Sequence, residues 1–437
     1  MIIDPFVLGL LAIFLLVALP CAWATCRGPT QKLLLIPTIL GFTLYNGFAI
    51  STVDAPPYMR LGYFIFIVVL IAGFRFGARL ATPLGKTIGL NATNVLADYA
   101  EGHAARWMIM IYFAVIGITL VLPTFKLHLL LAPPLPDLRA SFASRFTESR
   151  EMTGGLIGIF AALVTPLYYF ALYRYRTQTV LLSLLLLAPL YMIYVRDAYI
   201  ARNSVLLMLT YLFMITWTFR PELRFALLIV SMIMLPILGG IAYDYTFTRM
   251  GASSNSSGLL EGLLLSFEDE TMLPIDIGVP LVESGYKADL EGYFTWLITL
   301  PFPYFLKDGL PTIQLNYDIS EIVLGIRRGM PGFYVVLPGL LAESMYLFGR
   351  ILFVLHPLMI GAVIGVFATI LQNIPRNQGL VYFLSFMMFF NLNRGGVAAI
   401  MPLLINSFLL FWLIVFLGHL IGRRRRKLLA MRHRSDV

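Results

Sequence analysis

Residues 5–25 read PFVLGLLAIFLLVALPCAWAT, and no charged side chain interrupts them. At about 1.5 Å per residue such a stretch reaches about 30 Å as a helix, the thickness of a hydrocarbon core. The composition of the whole chain agrees. Of 437 residues, 59% are hydrophobic and 13% charged, against roughly 25% charged in a soluble domain. Mean hydropathy is +0.83. These values exclude a soluble enzyme, a disordered chain and a disulfide scaffold, and they indicate an all-α polytopic membrane protein.

Working outward from residues 5–25, eleven apolar runs are expected to cross the membrane. Their boundaries fall at 5–25, 33–52, 57–74, 107–125, 154–173, 178–195, 204–219, 225–243, 347–371, 379–393 and 397–420. Residues 1–243 would carry the first eight spans, 244–346 one long polar loop with short helices, and 347–437 the last three spans with a basic tail. Within that loop, Phe294 to Leu306 is apolar but short and broken by Pro301 and Pro303, which suits a re-entrant or interfacial piece. Residues 75–106 are expected to form an amphipathic surface helix.

Charge fixes an orientation. Arg and Lys beside a span favour the cytoplasm. The tail Arg423, Arg424, Arg425, Arg426, Lys427 therefore belongs inside, and an odd number of spans puts the N-terminus outside. With that choice the inner segments hold 18 of the 32 Lys and Arg but only four of the 23 Asp and Glu (Asp98, Glu101, Glu222, Asp436). The net +9 is then a topology signal and no indication of nucleic-acid binding. Met1 to Asp4 carry an acid and no basic side chain, unlike a signal peptide, so an uncleaved first helix is expected. Cys21 and Cys26 end the first run beside Arg27 and Lys32, on the side where thiols stay reduced.

The outer arginines run against this sorting and call for another reason. Arg139, Arg145 and Arg150 lie in the 126–153 loop, Arg202 opens a span, Arg249 follows another, Arg327 and Arg328 sit in GIRRGMPG, and Arg394 in NLNRGG. A planar, permanently charged donor fork suits carboxylate or phosphate recognition. Snorkelling to headgroups or pairing with the outer acids is the first reading of any single one. Arg202 and Arg394 sit at the edges of long apolar runs, where charge is costly. Glu343, in LPGLLAESMYLFGR, is a helix-start carboxylate among apolar neighbours. It is a candidate catalytic base on a sugar hydroxyl, or a structural partner of Arg350 or another arginine. Glu268, Asp269 and Glu270 read as an acidic surface, with divalent-cation binding the lesser alternative. His356 reads as a buried neutral imidazole. No HExxH, P-loop, GxSxG or CxxC is present, so zincin, P-loop ATPase and serine hydrolase chemistry have no support, and no sequence repeat points to an inverted-repeat transporter.

Three stretches together resemble a known family. FTWLITLPFPYFLKDGLPT, the loop with IRRGMPG, and PGLLAESMYLFG, with Gly339, Glu343, Phe348 and Gly349 in a Gly–x–x–x–Glu–x–x–x–x–Phe–Gly pattern, are similar to the large outer loop of Wzy-type O-antigen polymerases. ARNSVLLMLTYL resembles that family's arginine at a span start, although Asn203 and Ser204 replace its frequent Gly, and NLNRGG resembles its late Arg-Gly motif. The resemblance implies a glycosyltransferase that polymerises undecaprenyl-diphosphate-linked oligosaccharide repeat units en bloc at the periplasmic face, without cofactor or metal. A chain-length regulator would be its protein partner. Arg202, Arg249, Arg327, Arg328 and Arg394 would hold the diphosphate, with Arg139 and Arg145 as second choices, and Glu343 would be the base or an orienting group. Tyr293, Phe294, Trp296, Tyr304, Tyr317 and Tyr334 would stack on sugars or anchor the interface. An O-antigen ligase sharing the same donor, and a lipid-linked glycan carrier or flippase, are the alternatives.

Overall fold

In the computed structural model, residues 2–118, 153–197, 202–250, 259–302, 310, 314–328, 330 and 333–435 are described. The chain is an all-α polytopic membrane protein. Among the described residues the β contribution is an isolated bridge between Ile3 and Thr52.

Proline starts the first three helices at the position where its missing N–H costs nothing. These are α1 (Pro5–Thr25), α2 (Pro29–Phe42, prolonged through a π-helical turn Thr43–Gly47 and Phe48–Ile50) and α3 (Pro57–Glu101). Asp4 caps α1, its carboxylate accepting from the N–H groups of Phe6 and Val7 at 3.1 and 3.3 Å. Then follow α4 (His103–Ile118), α5 (Thr153–Ala171), α6 (Thr179–Asp197), α7 (Arg202–Phe219) and α8 (Arg224–Met250). The long polar segment folds into α9 (Leu259–Leu273), α10 (Val279–Glu283), α11 (Leu290–Thr299), α12 (Leu315–Leu324) and α13 (Leu340–Leu352). The chain ends with α14 (Leu355–Gln372), α15 (Gln378–Phe386), α16 (Asn393–Pro402) and α17 (Leu409–Ser435). By length and hydropathy, six described stretches suffice to cross a bilayer: Pro5–Thr25, Pro29–Ile50, Pro57–Glu101, Pro221–Ile241, Leu355–Gln372 and Gln378–Ser407. His103–Ile118, Thr179–Val195 and Asn203–Phe219 are shorter apolar helices at expected spans.

Three boundaries differ from the sequence reading. The expected span 347–371 is two helices: Gly349, at φ +76°, separates most of α13 from the turn that leads into α14, so the crossing starts at Leu355. Residues 75–101 continue α3 without interruption, and α17 packs against them, with the Arg426 guanidinium donating to the Leu90 carbonyl. Phe294–Leu306 is described only to Phe302. It is the end of α11 followed by a turn, and Pro303 to Leu306 lie outside the described residues.

Polar contacts gather at two ends of the bundle, and they partition the loops as charge did. At one end the Asp4 N–H donates to Ser51 O at 2.7 Å, Arg60 pairs with Asp4 at 3.4 Å, and Tyr58 donates to Glu283 at 3.1 Å. At the other, Glu101 takes Arg176 and Arg376, each at 2.6 Å, while Arg174 donates to its backbone carbonyl. Every residue of the first set falls on the outer side of the charge-based topology, and every residue of the second on the inner side.

The α3–α14 pair is the most extensive helix contact among the described residues. Small residues let it close. A β-carbon at Gly73 or Gly77 would stand 2.3 and 2.1 Å from the carbonyl oxygens of Leu358 and Ala362. Reciprocally, one at Gly361 or Gly365 would stand 2.3 Å from those of Leu70 and Phe74. In lipid, where apolar helices gain little by avoiding water, such backbone approach is what drives association. Gly77→Ala must push the two helices apart and is expected to destabilise by about 1–3 kcal/mol, read as a fall in melting temperature in detergent. Gly9→Ala, where nothing lies within 4 Å, should melt like the parent; equal melting of the two variants would refute this packing.

Candidate functional site

The Gly339–Glu343–Gly349 pattern has a local physical reason. Gly339, at φ +80°, is the N-cap of α13, a backbone conformation that side chains rarely adopt. The Glu343 N–H then closes the first turn on Gly339 O at 3.0 Å. Leu340 to Leu347 are all buried, Glu343 among them at 3% exposure. Its carboxyl faces backbone: Oε1 accepts from the Val397 N–H at 2.9 Å. Burial pushes the Glu343 carboxyl up to about 8, partly offset by that hydrogen bond. Among the described residues no cation lies within ion-pair distance of it. Arg350, the partner considered from sequence, turns to Glu283 at 3.9 Å and lies over the Tyr58 ring.

Glu343 braces a break in the late spans. After α15 a π-helical turn, Met387–Leu392, leads into α16, whose Gly396 has φ +65° and ψ −163°. A β-carbon on Gly396 would stand 1.5 Å from Glu343 Oε2, so both the conformation and the space demand glycine. Asn393 anchors the same break from below. Its amide donates to Thr38 O on α2 at 3.1 Å and to Met388 O and Phe389 O at 2.7 and 3.1 Å.

Arg394 stands beside this brace. Its Nε and Nη2 donate to Glu270 Oε2 and Oε1 at 2.5 and 2.9 Å, a bidentate pair in which both side chains are about three-quarters buried. The Phe390 ring lies 5.8 Å from the guanidinium carbon. Glu268–Asp269–Glu270 therefore lies on helix α9, and one of its members is a positioning partner rather than surface charge. No group of three or more His, Cys, Asp or Glu side chains suited to a metal is present among the described residues.

The other sequence candidates are distributed. Arg327 and Arg328 are exposed on the turn after α12, with Arg328 stacked over Tyr317 at 3.8 Å and its N–H donating to Glu321 Oε1 at 2.8 Å. Helix α12 contacts α16. Arg202 opens α7, and Arg249 falls in the last turn of α8. Arg139, Arg145 and Arg150 lie outside the described residues, as does Tyr304. The geometry thus brings together Glu343, Arg394 and Glu270, and it does not gather all the arginines at one point. Of the proposed stacking aromatics, Tyr293 and Trp296 are core residues. Tyr293 contacts His356 Nε2 at 3.3 Å, and His356 Nδ1 meets Ser344 Oγ at 2.7 Å, which ties α11, α14 and α13 together around a buried imidazole. Tyr334 is exposed. The sequence marks Glu270 only as one of an acidic cluster, not as the partner of Arg394, and it does not mark Asn393 or Gly396. Gly396 was visible only as half of a Gly-Gly pair.

No family model, curated protein or solved structure matches the chain.

The Glu343 brace has a pH signature. A carboxyl raised from about 4.5 to about 8 on folding stabilises the fold in its protonated form. That contribution is complete below about pH 4.5 and is lost as pH rises through 8. Thermal stability should therefore fall between pH 5 and 8 in the parent and less so in Glu343→Gln, which keeps an acceptor for Val397 without ionising. Glu343→Ala strands that N–H and should destabilise by about 1–3 kcal/mol at any pH. Identical pH slopes for the parent and Glu343→Gln would overturn this assignment.

Proposed function

We propose that this chain is an oligosaccharide repeat-unit polymerase of the Wzy-type class. In this reading it moves a glycan en bloc from one undecaprenyl diphosphate onto a second lipid-linked repeat unit, at the outer face of a bacterial inner membrane. One observation carries it: a guanidinium fixed by a bidentate carboxylate pair, at a glycine-enforced break between late apolar segments, in the Arg-Gly sequence on which the resemblance rests.

The chemistry asks for such a group. An acceptor hydroxyl attacks the donor's anomeric carbon, the bond from that carbon to the phosphate oxygen breaks, and the electron pair leaves with the lipid diphosphate. The hydroxyl proton is lost to solvent. The largest cost is the charge that develops on the departing diphosphate, and a preorganised cation lowers it most. Glu270 sets the plane of the Arg394 guanidinium, so little reorientation is required when the anion arrives. Glu343 is a positioning residue in this reading, because its carboxyl faces the backbone at Gly396 and Val397 and holds the turn that presents Arg394. Arg327 and Arg328, on their exposed turn, are the second diphosphate or glycan contact. Arg202, Arg249, Arg139 and Arg145 remain further candidates for the same anion.

A carrier of lipid-linked glycans is the second reading, and a specific feature favours it. The π-helical turns Thr43–Gly47, Met387–Leu392 and Leu403–Ser407 interrupt apolar helices. Asn46 and Asn406 within two of them, and Asn393 just after the third, each hold a buried side-chain oxygen with no hydrogen-bond partner among the described residues. Transporters use broken helices and polar groups at such depths.

Reconstitution separates the readings. Vesicles supplied with undecaprenyl-diphosphate-linked repeat units should form long glycans with the parent protein. Arg394→Ala should lower the rate by about 10²–10³-fold, the loss typical of removing one preorganised donor, with Arg394→Lys in between. Deletion of the gene should leave single repeat units on the surface glycolipid. Complete loss of capped glycolipid would assign a carrier or ligase instead, and unchanged chain lengths in both Arg394 variants would remove that residue from the site.

A further inference from the structure

A cleft of about 410 Å³ opens at the Glu101 end of the bundle, where the end of α1, the start of α2 and the middle of α3 meet. Arg27, Arg75 and Arg79 line it together with Cys21, Gln31 and Ala78, and no carboxylate is among its lining residues. Arg75 and Arg79 stand four residues apart on α3, a spacing at which like charges repel. Arg27 adds a third positive charge from another segment. All three side chains are exposed, and none forms an ion pair with a described carboxylate.

The backbone that carries Arg27 is held in place. The Arg27 N–H donates to Gln31 Oε1 at 2.7 Å, and buried Gln31 donates in turn to Thr369 Oγ1 on α14 at 2.8 Å. The Arg27 segment is thereby pinned to two helices, and Ala78 leaves room in front of it. The level of the cleft is set twice over. Helix α1 places its end about 31 Å from Asp4, and residue 75 lies about 27 Å along α3 from Pro57, both close to the thickness of a hydrocarbon core. Three arginines lining one cleft at headgroup depth, with no carboxylate among the lining residues, match the several oxygens and net charge of a phosphoryl group.

We propose that the Arg27–Arg75–Arg79 cleft binds a phosphoryl anion on the membrane face opposite Arg394. The anion is either the headgroup of an anionic phospholipid or a soluble phosphate, and the site is independent of the glycan chemistry.

Cys21 reports on occupancy directly. It is exposed in the cleft, whereas Cys26 is buried and its thiol is pushed up to about 11 by that burial, so alkylation distinguishes them. The full chain is placed in nanodiscs of phosphatidylcholine, with or without phosphatidylglycerol, and maleimide modification of Cys21 is followed by mass spectrometry. Phosphatidylglycerol should slow Cys21 several-fold, and Arg75→Gln with Arg79→Gln should restore the rate. Loss of positive charge by itself would disfavour the thiolate and slow the reaction, so restoration is not a generic charge effect. Arg424→Gln with Arg425→Gln, in the tail, should keep the protection. Inorganic pyrophosphate added to phosphatidylcholine discs identifies the source: protection by it assigns a soluble phosphate, and protection by phosphatidylglycerol alone assigns the lipid. Arg27→Gln supplies the same comparison if the double variant does not fold. Equal rates in all three conditions overturn the proposal, as does protection that survives loss of the cleft arginines or disappears with the tail pair.

Discussion

One buried carboxyl organises the Asp4 end of the molecule. Glu343 accepts the Val397 N–H, and its second oxygen occupies the space that a side chain at residue 396 would need. A carboxyl so enclosed, with no cation beside it among the described residues, favours the neutral form. It therefore acts as a hydrogen-bonding strut rather than as a charge. The strut joins α13 to the break in α16. Arg394, two residues before that break, consequently keeps a fixed position against α9, where Glu270 receives it. Remove the strut and the guanidinium loses its frame, although the Glu270 pair survives.

Rigidity and interruption are divided between different helices. The α3–α14 contact is closed by glycines that let backbones touch, and in lipid such packing gives a stiff unit. The late helices α15 and α16, and the end of α2, are instead interrupted by π-helical turns, which free backbone and amide groups within apolar surroundings. Asn393 links two of the interrupted segments, because it bonds both to its own turn and to Thr38 on α2.

The sequence shows the crossings because twenty uncharged residues have few other stable homes, and the sorting of Lys and Arg matches the two ends at which Asp4 and Glu101 gather their partners. It misplaces the start of α14 for an equally physical reason. The stretch LLAESMYLFG is as apolar as a span, and a buried helix outside the crossing has the same composition; only the φ of Gly349 separates them. Glu343 and Arg394 stand out because charge within apolar surroundings is costly. Their partners do not, since Glu270 meets Arg394 across 124 residues of chain and Glu343 meets a backbone N–H that no side-chain pattern reveals. The expected convergence of outer arginines is not seen among the described residues: Arg394 is taken by Glu270, while Arg327 and Arg328 sit on an exposed turn.

The two faces of the bundle treat cations differently. Arg394 is compensated by a carboxylate that orients it, while Arg27, Arg75 and Arg79 share a cleft with none. The most direct test of the central claim is an experimental structure determined with undecaprenyl diphosphate bound. The diphosphate should lie within hydrogen-bonding distance of Arg394, beside the Gly396 break, with the Glu343–Val397 contact intact. Density for it away from Arg394, or a Glu343 side chain turned from Val397 toward the ligand, would contradict the account.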